Sequence, residues 1–136
     1  MRVRIRPIAE FDAHLPTADH IVNVLPASPD SDNFFSAARF ANMKPTAIYY
    51  NLGRGTTNDE AALNRALEQH QLAAAYLDAT DVEPLPPDHP LWRNPNCFIT
   101  PHTAGGHSTE FERQGDLFLE NLSRFRASSD LIDRII

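Results

Sequence analysis

His102 stands just behind a short apolar run, Cys97-Phe98-Ile99, that reads as a strand stopped at Pro101. In open parallel sheets, ligands bind outside the carboxyl ends of the strands. An imidazole at such a place can give or take a proton near neutral pH, since its ordinary pKa is about 6.5. Gly105 and Gly106 follow and would let a ligand approach the backbone closely. Other apolar runs end on notable groups too: His20–Leu25 on Pro26, Ala47–Leu52 on Gly53-Arg54, and Leu72–Leu77 on Asp78. Taken singly, each has a plain reading: a solvated or capped histidine, a turn arginine, a capping aspartate. Taken together, a basic, an acidic and an imidazole group at strand ends have the make-up of a site.

The segments between these runs must bring them to one edge. Met1 to Arg6 alternates apolar and basic residues and predicts a first strand. Pro7 to Asp19 predicts a short helix or loop with Phe11 and Leu15 inward. Ser28-Pro29-Asp30-Ser31 predicts a turn or helix start, and Phe34 to Met43 a short amphipathic helix broken at Lys44-Pro45. Thr57 with Glu60 three residues later predicts a capping box, opening a helix through Ala61, Ala62, Leu63, Ala66 and Leu67. A Pro-rich loop runs from Glu83 past Trp92 to Pro95. From His107 to about Arg126, Phe111, Leu117, Phe118, Asn121, Leu122 and Phe125 recur at helical spacing, and the tail predicts packing through Leu131, Ile132, Ile135 and Ile136. Strands alternating with helices imply a parallel α/β sheet, helices on both faces, and strand ends gathered on one rim.

Composition narrows the class. The 136 residues suffice for one domain, read here as 1–136, with a real core. Apolar content of 42% and charged content of 22% are ordinary for a globular chain. A net charge of −6 argues against nucleic acid or an anionic membrane as partner. No run approaches the length of a bilayer span, and no signal peptide is visible. The one cysteine, Cys97, excludes an internal disulfide, suits a cytoplasmic protein, and reads as a packed small hydrophobe. His107 and His89 read as exposed loop histidines. A metal site from His102, His107 and Glu110 has workable spacing but competes for His102, and no metal is expected.

Several stretches together resemble the NAD-binding domain of the D-isomer-specific 2-hydroxyacid dehydrogenases. They are Leu25-Pro26-Ala27-Ser28-Pro29-Asp30-Ser31, Met43-Lys44-Pro45, Asn51-Leu52-Gly53-Arg54-Gly55 with Asp59-Glu60-Ala61-Ala62-Leu63, Leu77-Asp78 with Glu83-Pro84-Leu85, Pro90-Leu91-Trp92 with Pro95-Asn96, and Thr100-Pro101-His102. The resemblance runs from about residue 18 to 125, in the family's order and spacing. It implies a partial Rossmann-like parallel sheet with a long C-terminal helix, an NAD or NADP cofactor, and hydride transfer to or from a small 2-keto or 2-hydroxy acid such as glyoxylate or hydroxypyruvate. It also implies His102 as acid/base, Glu83 as its supporting carboxylate, and Arg54 as the cation on the substrate carboxylate. Leu25, Pro26, Ser28, Asn51, Leu52, Gly53, Asp78, His102 and Gly105 would line the cofactor cleft, with Asp78 at the nicotinamide carboxamide. Relatives pair through this domain, so a homodimer is expected.

The chain also departs from the family pattern. No G-x-G-x-x-G turn precedes a helix, and that turn normally cradles the pyrophosphate. The family's substrate domain is not visible either, so the sequence reads as the later part of a cofactor domain. Thr80 stands where an aromatic is usual. No acid follows the first strand to grip a ribose; Arg4 and Arg6 are there instead. They suit a 2′-phosphate, favouring NADP, or form the solvent face of an edge strand. The alternative to a dehydrogenase is a non-catalytic dinucleotide-binding or dimerisation module of the same descent. The apolar face of the last helix predicts self-association.

Overall fold

A computed structural model describes residues 4–134. Its contacts gather into two compact units, Met1–Ala104 and Gly105–Ile136. The first holds a four-stranded parallel sheet of β1 (His20–Asn23), β2 (Ile48–Asn51), β3 (Ala74–Leu77) and β4 (Cys97–Ile99), in sequential order. The register aligns Ile21 with Tyr49, Ala75 and Cys97, and Asn23 with Asn51, Leu77 and Ile99. A short helix, α1 (Phe11–His14), lies between two 3-10 turns ahead of β1 and delivers Leu15 into the core.

Two helices fill the crossovers. The first, α2 (Ala37–Ala41), is shorter than the run from Phe34 predicts, because Phe35 is extended and bridges Asn58 in parallel. The second, α3 (Glu60–Glu68), begins at Asp59, whose carboxylate accepts from the Ala62 N–H at 2.8 Å. The expected Thr57–Glu60 capping box therefore does not form. Thr57 turns its hydroxyl to the Arg54 carbonyl at 2.5 Å, inside a 3-10 turn. The helix buries Ala62, Leu63, Ala66 and Leu67 against Tyr49, Ala75 and Leu77, and burial of each large side chain contributes about 1.5–3 kcal/mol.

Within the first unit, the crossover helices cover one face of this sheet. Each crossover steps to the next strand in the same direction, and right-handed crossovers of that kind fall on a single side. The opposite face carries Val22, Tyr50, Tyr76 and Phe98 in one cross-strand row. Val22 is 55% exposed, Tyr76 40% and Phe98 46%.

The predicted N-terminal strand is not found over Arg4–Arg6, which are exposed irregular chain; Met1 to Val3 lie outside the described residues. Alternation alone does not make a strand when no neighbour supplies a ladder. In the second unit, α4 (Glu110–Arg126) presents Phe111, Phe118 and Phe125 to solvent. Asn121 there brackets Ile132, accepting from its N–H at 2.8 Å and donating to its carbonyl at 3.1 Å. Leu131 stays exposed, and the packing expected of Ile135 and Ile136 falls outside the described residues. No helix among the described residues is long and apolar enough to cross a membrane.

Candidate active site

The parallel strands end together, and a buried amide network ties their ends. Asn23 on β1 has the Tyr49 hydroxyl, Asn51 Oδ1 and Thr57 Oγ1 in reach of its Nδ2, at 3.0, 3.0 and 2.7 Å. Its Oδ1 accepts from the Leu25 N–H at 3.0 Å. Asn51 on β2 accepts from the Gly53 N–H at 3.1 Å and donates to the Arg54 and Ala79 carbonyls at 3.2 and 3.0 Å. Both side chains are buried, and every polar atom is engaged. The turns after β1, β2 and β3 are thus pinned to one another through two side chains. The Asn51 side chain serves this tie, and its backbone carbonyl accepts from the Asp78 N–H at 2.9 Å.

Two glycines let the turns close up. A Cβ on Gly53 would lie 2.5 Å from the Leu25 carbonyl oxygen, and one on Gly55 would lie 1.9 Å from the Thr80 carbonyl carbon. Leu25 is half-buried under Gly53, whereas Leu52, Pro26 and Ser28 are exposed. Ser31 shapes that loop, donating to the Pro26 carbonyl at 2.5 Å and accepting from the Ser28 N–H at 2.9 Å.

Asp78, at the end of β3, is buried and holds the turn beyond β4. Its Oδ1 accepts from the Thr100 hydroxyl at 2.5 Å and the Thr103 N–H at 2.9 Å, and its Oδ2 from the Ala104 N–H at 2.8 Å. Burial opposes its charge. The bonds from Thr100, Ala104 and Thr103, with His102 nearby, nevertheless hold the carboxyl below its ordinary value. The turn so held presents His102. Its Nδ1 lies 3.0 and 2.9 Å from the two Glu83 carboxylate oxygens. Glu83 is itself aimed by the Thr80 N–H, which donates to Oε1 at 3.0 Å. The His102 bond first, then the Thr80 N–H and the charges of His102 and Arg54, outweigh desolvation and lower the Glu83 pKa.

A cavity of about 460 Å³ opens beside this pair. Asp78, Glu83 and His102, with Thr80 and Thr100, supply its polar groups, and Leu85, Trp92 and Ile99 are part of its apolar wall. Arg54 is not in that lining. Its Nη1 folds back on the Gly53 carbonyl at 2.8 Å, while its charge still reaches Glu83. Gly105 is exposed, with no heavy atom within 4 Å of a Cβ placed on it. Arg4 and Arg6 sit on irregular chain, and Arg6 lies 4.0 Å from Glu10, so the strand end that would offer them to a phosphate is not formed. Half-buried Cys97 has its thiol pushed up to about 12 by burial and the Glu60 charge, and acts as a packed apolar group.

The donor set fits the nicotinamide end of a dinucleotide. Turns closed on glycine line the rim, and the Asp78 carboxylate keeps one lone-pair position beyond its three bonds. Nothing comparable offers a pyrophosphate cradle among the described residues. Of the residues singled out in the sequence, the structure brings His102, Glu83 and Asp78 to one cavity and leaves Arg54 outside its lining; the Asn23–Asn51 tie was missed, because an asparagine closing an apolar run looks like an ordinary strand end.

Comparisons with known proteins give the family of the chain. Residues 3–104 match the family model described as D-isomer specific 2-hydroxyacid dehydrogenase, NAD binding domain. The chain is 41% identical over 103 residues to glyoxylate/hydroxypyruvate reductase B of Citrobacter koseri, covering 75% of this chain and 32% of that protein. It is similar to the crystal structure of a D-isomer specific 2-hydroxyacid dehydrogenase from Xanthobacter autotrophicus Py2 in complex with NADPH and MES. There the TM-score is 0.82 at 31% identity, over 95% of this chain and 52% of that one. The NADPH-dependent glyoxylate/hydroxypyruvate reductase of Sinorhizobium meliloti, in complex with NADP and sulfate, matches with TM-score 0.80 and 31% identity, over 94% of this chain and 42% of that one. The chain spans about a third of the length of the curated relatives it matches. It belongs to the D-isomer specific 2-hydroxyacid dehydrogenase family, through that family's NAD-binding domain.

Proposed function

We propose that this chain supplies the acid–base pair and the nicotinamide end of the cofactor cleft for reduction of a small 2-keto acid, of the glyoxylate or hydroxypyruvate class, or for the reverse oxidation. The observation that carries this reading is His102 Nδ1 held by both oxygens of Glu83. Bound NAD(P)H supplies the hydride for the keto carbon. The chain's own residues handle the proton and the substrate's charge. With Nδ1 fixed on Glu83, Nε2 is left as the nitrogen that gives its proton to the carbonyl oxygen, or takes it back in oxidation. The ionised Glu83 accepts from Nδ1–H and keeps the ring from turning. Arg54 would release the Gly53 carbonyl and take the substrate carboxylate bidentately. Leu25, Pro26, Ser28, Leu52, Gly53 and Asp78 would line the cofactor side, and Arg4 and Arg6, on irregular chain here, would bind a 2′-phosphate once cofactor orders that segment. The setting is cytoplasmic and the assembly a homodimer.

Arg54, folded onto the Gly53 carbonyl and outside the cavity lining, favours a second reading, a dinucleotide-binding or dimerisation module without turnover. Fluorescence titration with NADH and NADPH, followed by assays with glyoxylate and hydroxypyruvate, separates the two. Saturable binding with turnover that His102→Ala reduces at least about 100-fold supports the dehydrogenase. Binding without turnover selects the module, and no binding at millimolar cofactor refutes both dinucleotide readings. An affinity gain for NADPH lost in Arg4→Ala/Arg6→Ala is the outcome expected of the 2′-phosphate assignment.

A further inference from the structure

Glu60 is a carboxylate that the mechanism above does not use. It opens α3, yet it does not cap that helix; Asp59 does. Its side chain is only 10% exposed and turns away to the loop after β3, where Oε1 accepts from the Asp81 N–H at 2.8 Å. Its Oε2 lies 3.7 Å from His89 Nε2. The Leu91 N–H points at His89 Nδ1 from 3.4 Å, so in the neutral ring Nε2 carries the proton and faces Glu60. One carboxylate thus joins the start of α3, the loop at Asp81 and the 3-10 turn Pro90–Arg93.

The position is costly. Burial works against the Glu60 charge, and Asp81 and Glu83 repel it; together they outweigh the Asp81 N–H and His89 and raise its pKa. A carboxylate kept there needs a return, and the loop it grips carries Glu83 two residues on. The same loop rests on Gly55, where no side chain fits, and is closed by Thr80 Oγ1 on the Val82 carbonyl at 3.0 Å.

We infer that Glu60 is a positioning residue: by holding the Asp81 N–H it sets the loop that aims Glu83 at His102. This rests on the proposed acid–base role of the Glu83–His102 pair, and the test keeps the two apart. Carbon-detected NMR titration of the Glu83 carboxyl is the readout, on the full 136-residue chain. The charged and titratable groups that act on Glu83 are His102 beyond β4, Arg54 beyond β2 and Glu60 on α3, which Asp81 of the same loop repels in turn.

His102→Gln should raise the Glu83 titration; if it does not, the pair itself fails, and with it the proposed function. Glu60→Gln removes a repelling charge but keeps an oxygen for the Asp81 N–H, so Glu83 should titrate unchanged or lower. Glu60→Met removes the same charge and the acceptor together while keeping the volume. Glu83 should then titrate higher than in the parent, by about half a pH unit, against the direction of the charge effect. If Met and Gln move Glu83 the same way, Glu60 acts only as a charge and the inference is overturned. It is equally overturned if Glu60→Met loses its folded amide spectrum while Glu60→Gln keeps it, since Glu60 then holds the unit rather than the loop.

Discussion

His102 adopts a left-handed backbone, φ 55°, that few non-glycine residues choose, and Asp78 is what makes it hold. The turn at His102 aims the N–H groups of Thr103 and Ala104 at one carboxylate, so the conformation is compensated by charge-assisted bonds. Asparagine cannot replace that carboxylate. In either amide orientation its NH2 meets a backbone N–H, leaving a partly buried donor unpaired. Asp78→Asn should cost about 1–3 kcal/mol, read from the urea midpoint, and should loosen His102. The pH dependence follows from the same group. Asp78 and Glu83 both titrate below their ordinary values in the folded chain. Each therefore contributes stability that is fully present above the unfolded carboxylate pKa, about 4, and is lost as pH falls through the lower folded value. Urea midpoints should be level from pH 7 to about 5 and fall below pH 4. In Asp78→Asn that acid decline should be shallower. A decline equally steep in the variant would remove Asp78 as its source.

Among the elements, the turns after the strands decide more than the strands do. The four strands were legible because each is an apolar run closed by Pro, Gly or Asp, and α3 was legible from its apolar spacing. His102, Glu83 and Asp78 were legible as positions through the family resemblance, but not their bonding. No local pattern says that Asp78 will spend three acceptors on residues over twenty positions later. The failed expectations share a cause. The run at Phe34–Phe35 looked helical until a tertiary bridge to Asn58 claimed it, and Thr57 looked like a cap until its hydroxyl found the Arg54 carbonyl. Long-range partners outbid local propensity in both. The glycines show the same logic. Gly55 reads as a turn residue, yet what requires it is the backbone of Thr80 and Asp81 lying where its Cβ would be. Gly55→Ala should therefore destabilise the first unit by about 1–3 kcal/mol, measured by denaturant midpoint, and displace the loop that carries Glu83. The Thr80 and Glu83 amide resonances should shift most. A shift confined to residues 53–57 would show that the turn, not the loop, absorbs the added carbon.

For the molecule as a whole, one-way winding leaves a bare aromatic surface. Tyr50 and Tyr76 stack at 5.4 Å between ring centroids, and Tyr76 and Phe98 at 4.7 Å, both nearly parallel. Val22 extends the row, and the outer edge of β1 has no partner strand among the described residues. Its four strands, about 4.8 Å apart and about 13 Å long, offer a footprint of roughly 250 Å². A stable dimer needs about 800 Å² from each partner, so this face alone supports weak association rather than an obligate pair. The exposed stripe of α4, with Phe111 at 87%, adds apolar surface that the sheet face lacks. Sedimentation velocity should therefore show a weight-average coefficient that rises with concentration from micromolar to hundreds of micromolar. Tyr76→Lys should suppress that rise, because a charge inside a stacked row resists burial against another apolar face. Its side chain is already 40% exposed and faces away from the core, so the change should move the denaturation midpoint little, within about 0.5 kcal/mol. If association persists in Tyr76→Lys and vanishes in Phe118→Lys, the helix stripe carries it and the sheet face is left free. That outcome would also weaken the dimerisation-module reading for residues 4–104, which rests on this row.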